Sequence, residues 1–198
     1  MNSDYESLIA PINPLGLDGI EFVEYVTAKP QALGQTLETM GFRPIARHRS
    51  REVLLYRQGD MNIVINAEDR LAEGDESINE TRIAAVAYRV TDAAAAQRHV
   101  LSRGAWAVPT HVEVMELNIP AIHGPGSSRI FFVDRYKEFS IYSVDFVPIP
   151  GVDQHPAAIT DVHWFGLVQY IYHDRMEDWT EFYRVIRGHG PCNKERVA

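Results

Sequence analysis

The chain has 198 residues, and 27 acidic against 19 basic side chains give it a formal net charge of −8. An acidic surface repels nucleic-acid phosphates and anionic lipid headgroups, so we expect neither a nucleic acid nor a membrane as a partner. The composition, 45% hydrophobic, is typical of a globular protein with a sizeable core, and no apolar run approaches the ~18 residues of a membrane-spanning helix.

A polar leader, residues 1–14, precedes the first structural unit. The stretch "DGIEFVEYV" (18–26) combines aromatic and β-branched residues in the manner of a strand, and "KPQALGQTLETM" carries the apolar spacing of a helix. Three short strands are predicted next, in "FRPIARHR", "EVLLYRQ" and "MNIVINA". The predicted order of elements is β-α-β-β-β.

The same order begins again after a polar segment, residues 68–80. "IAAVAYRV" predicts a strand, "TDAAAAQRHVLSRG" a helix, and "AWAVPTH", "SRIFFVDR" and "FSIYSV" three strands, with a long loop over 112–126. One strand-helix-three-strand unit leaves a face of its sheet uncovered, whereas two units side by side bury that face and enclose a cleft. Residues 15–147 are therefore predicted to form one α+β domain of paired βαβββ modules.

A third unit starts near the end of the chain, beyond a Pro-rich linker at 148–159. "ITDVHWFGLVQYIYHDRMEDWTEFYRVIRG" predicts a strand and an amphipathic helix, so residues 160–188 read as an incomplete third module, followed by a polar tail at 189–198. The helix places Met176, Trp179, Tyr183 and Ile186 on one apolar stripe. Such a stripe has to be covered by the first domain or by another subunit, and we expect a homo-oligomer. The single cysteine, Cys192, lies in the tail and indicates a reducing, cytoplasmic setting.

The repeated unit resembles the vicinal-oxygen-chelate fold, and several consecutive motifs resemble one family of that superfamily, the 4-hydroxyphenylpyruvate dioxygenases. The motifs are "DGIEFVEYV", "MGFRPIARHRSREVLLYRQGDMNIVIN", "RGAWAVP", "ELNIPAIHGPGSSRIFFVDRY" and "FSIYSVDFVPIPG". "DVHWFGLVQYI" and "RMEDWTEFYR" resemble the start of the family's catalytic C-terminal half. The resemblance covers residues 15–187.

The resemblance implies a dioxygenase of tyrosine catabolism that converts an aromatic 2-oxo acid into homogentisate and CO₂ with O₂ and Fe(II). It also implies iron held by two histidines and one glutamate. His163 matches the first ligand, and the other two belong to a fourth module that follows in the family. We therefore expect one of the three ligands from this chain, and no turnover by the chain as it stands. A piece of a longer protein, a shortened gene and a half-length paralogue would each give this sequence.

The first two modules are expected to be the non-catalytic half. Where relatives place metal ligands, this chain has Ile20, Glu21 and Phe22 on the first strand and Ser140 near the last. The missing histidines argue against a glyoxalase-like lyase. The alternative reading is a non-catalytic small-molecule-binding or scaffold protein, with a cleft that four aromatic strand residues are candidates to line: Trp106, Phe131, Phe132 and Tyr142.

Overall fold

A computed structural model describes residues 13–67, 81–109, 117–137, 139–160, 162–170 and 173–187. The strands are β1 (Ile20–Val26), β2 (Arg43–His48), β3 (Val53–Gln58), β4 (Met61–Asn66), β5 (Arg82–Arg89), β6 (Ala121–His123), β7 (Arg129–Val133) and β8 (Phe146–Pro148). The helices are α1 (Pro30–Thr39), α2 (Ala93–Leu101), α3 (Tyr142–Asp145) and α4 (Met176–Arg187), with 3-10 turns at Pro125–Ser127 and His173–Arg175. No helix among these residues is long and apolar enough to cross a membrane.

Local sequence sets the limits of the two longer helices of the paired modules. Pro30 is the first residue of α1. A backbone N–H at this position has no partner within a helix, so the N–H that proline lacks costs no hydrogen bond. Asp92 caps α2, and its carboxylate accepts a hydrogen bond from the backbone N–H of Ala95 at 2.7 Å. Each helix is followed by a glycine with positive φ, Gly41 at 97° and Gly104 at 92°. These signals make each unit turn back toward its sheet where the sequence predicts it.

The eight strands form one sheet in the order β6-β7-β5-β1-β4-β3-β2-β8. Strand β1 lies at the centre, parallel to β4 of its own module and antiparallel to β5 of the second module. Strand β5 is in turn parallel to β7, so the first strand of each module pairs in parallel with a later strand of the same module. The last strand, β8, crosses back to pair with β2, with Ala46 opposite Pro148. The paired-module α+β fold predicted from the sequence is confirmed.

Adjacent residues of each strand point to opposite faces of the sheet, and each face carries a buried layer of side chains. On one face, which we call the helix face, β-strand side chains pack with residues of α2 and α1 in two clusters. On the opposite face, which we call the inner face, Phe22, Leu55, Val64, Ala87 and Val133 belong to a third cluster that contains no residue of α1 or α2. Both faces of the sheet are thus buried, which explains why β1 is apolar or buried at almost every position.

Two strands predicted in the second module are wrong. The described residues of "AWAVPTH", 105–109, contribute a single bridge, Ala107 opposite Ile122, and β6 lies inside the predicted long loop. Pro109 has no N–H to extend the pairing. "FSIYSV" contains the four-residue helix α3, which brings the adjacent residues Ile141 and Tyr142 into the same inner-face cluster, whereas neighbours in a strand point to opposite faces. Strand β8 starts only at Phe146.

The predicted Pro-rich linker packs as an ordered segment, which we call the strap (148–159). Its backbone is tied to the first module: Ile149 N–H donates to the carbonyl of Ile45 at 2.8 Å, and Gly59 N–H donates to the carbonyl of Pro156 at 2.9 Å. Arg57 Nη1 donates to the carbonyl of Gln154 at 2.9 Å. The strap therefore fixes the position of the residues that follow it.

The strand predicted at the start of the third unit does not form. Residues 162–170 have no regular secondary structure, and no strand of the described sheet pairs with them. A strand needs neighbours for its backbone N–H and C=O groups, so apolar alternation alone does not create one. Trp164 instead packs against both helix-face clusters, and Phe182 of α4 packs against the one that includes α2. The first domain thus covers part of α4, through Phe182, a residue beside the predicted stripe.

Substitution of Gly59 tests the strap. Gly59 and Gly126 share a left-handed backbone, with φ of 53° and 60°, but a Cβ at Gly59 would meet Ala158 Cβ at 2.9 Å whereas one at Gly126 has open space. We expect Gly126→Ala to lower the free energy of unfolding by about 1 kcal/mol through backbone strain alone. Gly59→Ala should lower it by about 2 kcal/mol, because the strap must also shift. Urea unfolding measures both, and equal losses would contradict the packing described for the strap.

Trp164 is the second test, with its neighbour Phe165 as control. Trp164 is half-buried on the helix face, whereas Phe165 is 86% exposed. Trp164→Ala should reduce the free energy of unfolding by about 2 kcal/mol and speed proteolysis between residues 160 and 175. Phe165→Ala should stay within about 0.5 kcal/mol of the parent chain. If the two variants behaved alike, the docking of this segment on the first domain would be refuted.

Candidate functional site

The inner face holds a cavity of about 220 Å³, which we call the inner cleft. Its lining comes from both modules and includes Phe22 and Glu24 of β1, Asn66 of β4, and Arg129 and Phe131 of β7. His48 of β2 and Phe146 of β8 line it as well, although four strands separate β2 from β7 in the sheet order. The sheet therefore curves around the cavity, as the pairing of two modules requires.

A charged pair lies in this cleft. Glu24 is 8% exposed, and its Oε2 accepts a hydrogen bond from Arg129 Nη2 at 3.0 Å. Its Oε1 accepts one from Asn66 Nδ2 at 2.8 Å. Both carboxylate oxygens are thus occupied, and the charge of Glu24 is neutralised by an arginine that belongs to the second module.

A second buried acid of β1 is clamped in the same way. Glu21 is 2% exposed, and its Oε2 accepts a hydrogen bond from Arg89 Nε of β5 at 2.5 Å. Asn62 Nδ2 contacts its Oε1 at 3.4 Å and also donates to its backbone carbonyl at 2.9 Å. The resemblance found in the sequence implies a metal-ligand position at or beside Glu21, but in the structure the Arg89 guanidinium is the cation that pairs with this carboxylate. The glyoxalase-like lyase receives no support from this arrangement.

Tyr142 of α3 lines the inner cleft. Burial raises the pKa of its phenol well above the usual value of 10, and the negative charge of Glu21 adds to the increase. The Arg57 guanidinium lies 5.3 Å from the centre of its ring. Tyr142 therefore remains a neutral phenol at neutral pH.

His163, the predicted iron ligand, does not line the inner cleft. It is exposed and lines an outer cavity of about 660 Å³ together with Asp60, Arg89 and Trp164. Within the described residues, no group of three His, Cys, Asp or Glu side chains is close enough to hold a metal ion. The part of the chain that the structure describes thus does not assemble an iron centre.

The four aromatic candidates for the cleft divide two and two. Phe131 and Tyr142 line the inner cleft. Phe132 is fully buried on the helix face, because adjacent strand residues point to opposite faces and its neighbour Phe131 points into the cleft. Trp106 is 77% exposed. Neither Phe132 nor Trp106 lines the inner cleft. Ser140 makes a 3.3 Å contact between its Oγ and that of Ser143.

Sequence reasoning missed the residues that give the inner cleft its polarity. Glu24, Asn66 and Arg129 lie on three strands, and their contact depends on pairings across 42 and 105 positions. One signal was available. "IEFVEYV" carries two acids in a strand that is otherwise apolar, and buried carboxylates of this kind require partners.

Comparison with known proteins agrees with this geometry. The family model described as hydroxyphenylpyruvate dioxygenase, N-terminal, matches residues 12–147. Hemolysin VllY from Vibrio vulnificus is 40% identical over 186 residues, which make up 90% of this chain and 52% of that protein. A 4-hydroxyphenylpyruvate dioxygenase from a Pseudomonas species is 39% identical over 178 residues, 88% of this chain and 49% of that protein.

A solved structure of a fusion between a xylose isomerase-like TIM barrel and a 4-hydroxyphenylpyruvate dioxygenase has the same fold. It aligns with a TM-score of 0.70 and 28% identity over 90% of this chain and 29% of its own. A 4-hydroxymandelate synthase mutant from Streptomyces coelicolor aligns with a TM-score of 0.64 at 17% identity, over 89% of this chain and 53% of its own, which supports the fold alone. The chain spans about half the length of the curated relatives it matches. Through its paired modules, this chain belongs to the 4-hydroxyphenylpyruvate dioxygenase family.

Proposed function

We propose that this chain supplies the N-terminal half of a 4-hydroxyphenylpyruvate dioxygenase-type enzyme, which oxidises and decarboxylates an aromatic 2-oxo acid with O₂ and Fe(II). The observation that carries the proposal is the match of the family over residues 12–147, with relatives of that name 37% and 39% identical over 88% of the chain. The proposed substrate and reaction are taken from the names of those relatives.

Within that enzyme, the paired modules have a structural role. Glu21 and Glu24 are the buried acids of β1, and arginines hold both of them. No step of the reaction is assigned to them, because a carboxylate whose oxygens are hydrogen-bonded to a guanidinium is a poor metal ligand. The paired modules thus provide a folded platform, and the strap leads from it to the segment that carries His163.

His163 is the residue that we assign to iron. Its assignment rests on its position in the motif "DVHWFGLVQYI", and it is the one member of the family's ligand set that this chain matches. The side chain of His163 is exposed. Within the described residues no group of three His, Cys, Asp or Glu side chains is close enough to hold a metal ion, and the chain by itself is proposed to be inactive.

Assembly and location complete the proposal. Three large apolar side chains of the segment after the strap are strongly exposed: Phe165 at 86%, Val168 at 72% and Tyr170 at 90%. Water contact with such a run is unfavourable, which supports a homo-oligomer in which another subunit covers it. A cytoplasmic location is proposed from the single cysteine.

A second function is favoured by one observation, the inner cleft. Its aromatic walls and its Arg129 fit a non-catalytic protein that binds a small molecule. Binding of a small molecule in the absence of iron would distinguish this function from the dioxygenase function.

A chimaera tests the assignment of His163. Residues 1–170 of this chain, joined to the remaining catalytic part of the Pseudomonas relative, should form homogentisate from 4-hydroxyphenylpyruvate. His163→Ala in this chimaera should lower the rate by more than about 100-fold, because a metal ligand is lost. His155→Ala is the matched control, since His155 is an exposed histidine of the strap, and it should leave the rate unchanged.

Homogentisate is measured by chromatography, with the 198-residue chain assayed beside the chimaera. The chain alone should give no product. Full activity of the His163→Ala chimaera would refute the ligand assignment, and product from the chain alone would refute its proposed inactivity.

Sedimentation velocity tests the oligomer. At micromolar concentration the chain should sediment as a dimer or larger, and Val168→Asp should shift it toward monomer because a charge enters the apolar contact. Thr180→Asp, on a half-buried position of α4, is a control for a general effect of added charge. A parent chain that sediments as a monomer would rule the oligomer out.

A further inference from the structure

The inner cleft has two aromatic walls. Phe22 and Phe131 form one, with ring centres 6.0 Å apart and planes tilted by 42°. His48, Phe146 and Tyr142 form the other, in edge-to-face contacts with centres 5.2 and 5.8 Å apart. An apolar cavity of about 150 Å³ is enough for a benzene molecule. The inner cleft, at about 220 Å³, thus accommodates one aromatic ring with a small polar substituent.

The cleft also contains a hydrogen-bond donor without a partner. Arg129 uses Nη2 to bind Glu24, but its Nε is buried and nothing in the described part of the chain accepts a hydrogen bond from it. A buried donor that stays unpaired is unfavourable by about 1–3 kcal/mol, and more when the group is charged. A guanidinium edge is matched best by a carboxylate, whose hydrogen bonds to arginine are short and strong.

Charge around this donor permits an anion. Glu24, the nearest acid, is paired with the Arg129 guanidinium, and Asn66 donates a hydrogen bond to its other oxygen. Asp145, the other acid of the lining, accepts a hydrogen bond from the backbone N–H of Leu117 at 3.1 Å and so has a role in the fold. Arg51 adds a second cation to the lining.

We propose that the inner cleft binds a single-ring aromatic carboxylate, with the ring between the two aromatic walls and the carboxylate on Arg129 Nε. Binding there needs neither iron nor the residues beyond the strap. The inference gives the small-molecule-binding function a ligand class and a recognition residue. Its test involves no turnover, so its failure and the failure of the dioxygenase proposal are distinguishable.

The test is calorimetric titration of the 198-residue chain with benzoate. Saturable binding of about one benzoate per chain is expected. Benzamide keeps the ring but not the charge, and cyclohexanecarboxylate keeps the charge but not the aromatic faces. Each should bind roughly tenfold more weakly or worse.

Two lysine variants locate the binding. Arg129→Lys preserves the positive charge beside Glu24 but removes the Nε donor, and should weaken benzoate binding at least roughly tenfold. Arg89→Lys makes the same change in the Glu21 pair, outside the cleft lining, and should bind benzoate as the parent does. Thermal unfolding checks that both variants are folded, and Phe131→Leu, which removes one wall, replaces Arg129→Lys if that variant is not.

Four results would overturn the proposal. They are no saturable benzoate binding by the parent chain, equal binding of benzamide, full binding by Arg129→Lys (or by Phe131→Leu in its place), and an equal loss in Arg89→Lys.

Discussion

The fold depends on two carboxylates buried in its central strand. Glu21 and Glu24 of β1 are 2% and 8% exposed, and their partners, Arg89 and Arg129, both come from the second module. Removing one partner of a buried ion pair typically destabilises a protein by about 3–5 kcal/mol, because the other charge stays buried and unpaired. The first module alone would leave two such charges. Pairing of the modules therefore stabilises β1 by giving both acids a partner, and the inner cleft is lined by residues of both modules.

The same two pairs determine what the domain can do. Both acids are hydrogen-bonded to guanidinium groups and are poor metal ligands, so the paired modules favour a platform over a reaction centre. What they enclose is an aromatic cleft with two buried donors that have no partner among the described residues, Arg129 Nε and the Tyr142 hydroxyl. Membership of the dioxygenase family and the absence of a metal cluster among the described residues are thus compatible.

Much of the fold could be predicted because its elements have local signals. Helices α1 and α2 have their start and stop residues in the sequence, and β1, β3, β4 and β5 have continuous apolar or β-branched runs. Prediction failed where long-range contacts determine the local conformation. Ile141 and Tyr142 look like strand residues but are both buried by a helical turn, and residues 162–170 have strand composition without a strand to pair with. The inner cleft was foreseen as a cavity, but not Arg129, since its contact with Glu24 joins residues 105 positions apart.

The central claim is that arginines, not a metal ion, satisfy the buried acids of β1. Titration of the purified chain with Fe(II), followed by dialysis and metal analysis, tests it most directly. The account predicts that iron is not retained in stoichiometric amount and that Glu21→Gln and Glu24→Gln leave this result unchanged. Stoichiometric iron that is retained by the parent chain and lost in either glutamine variant would contradict it.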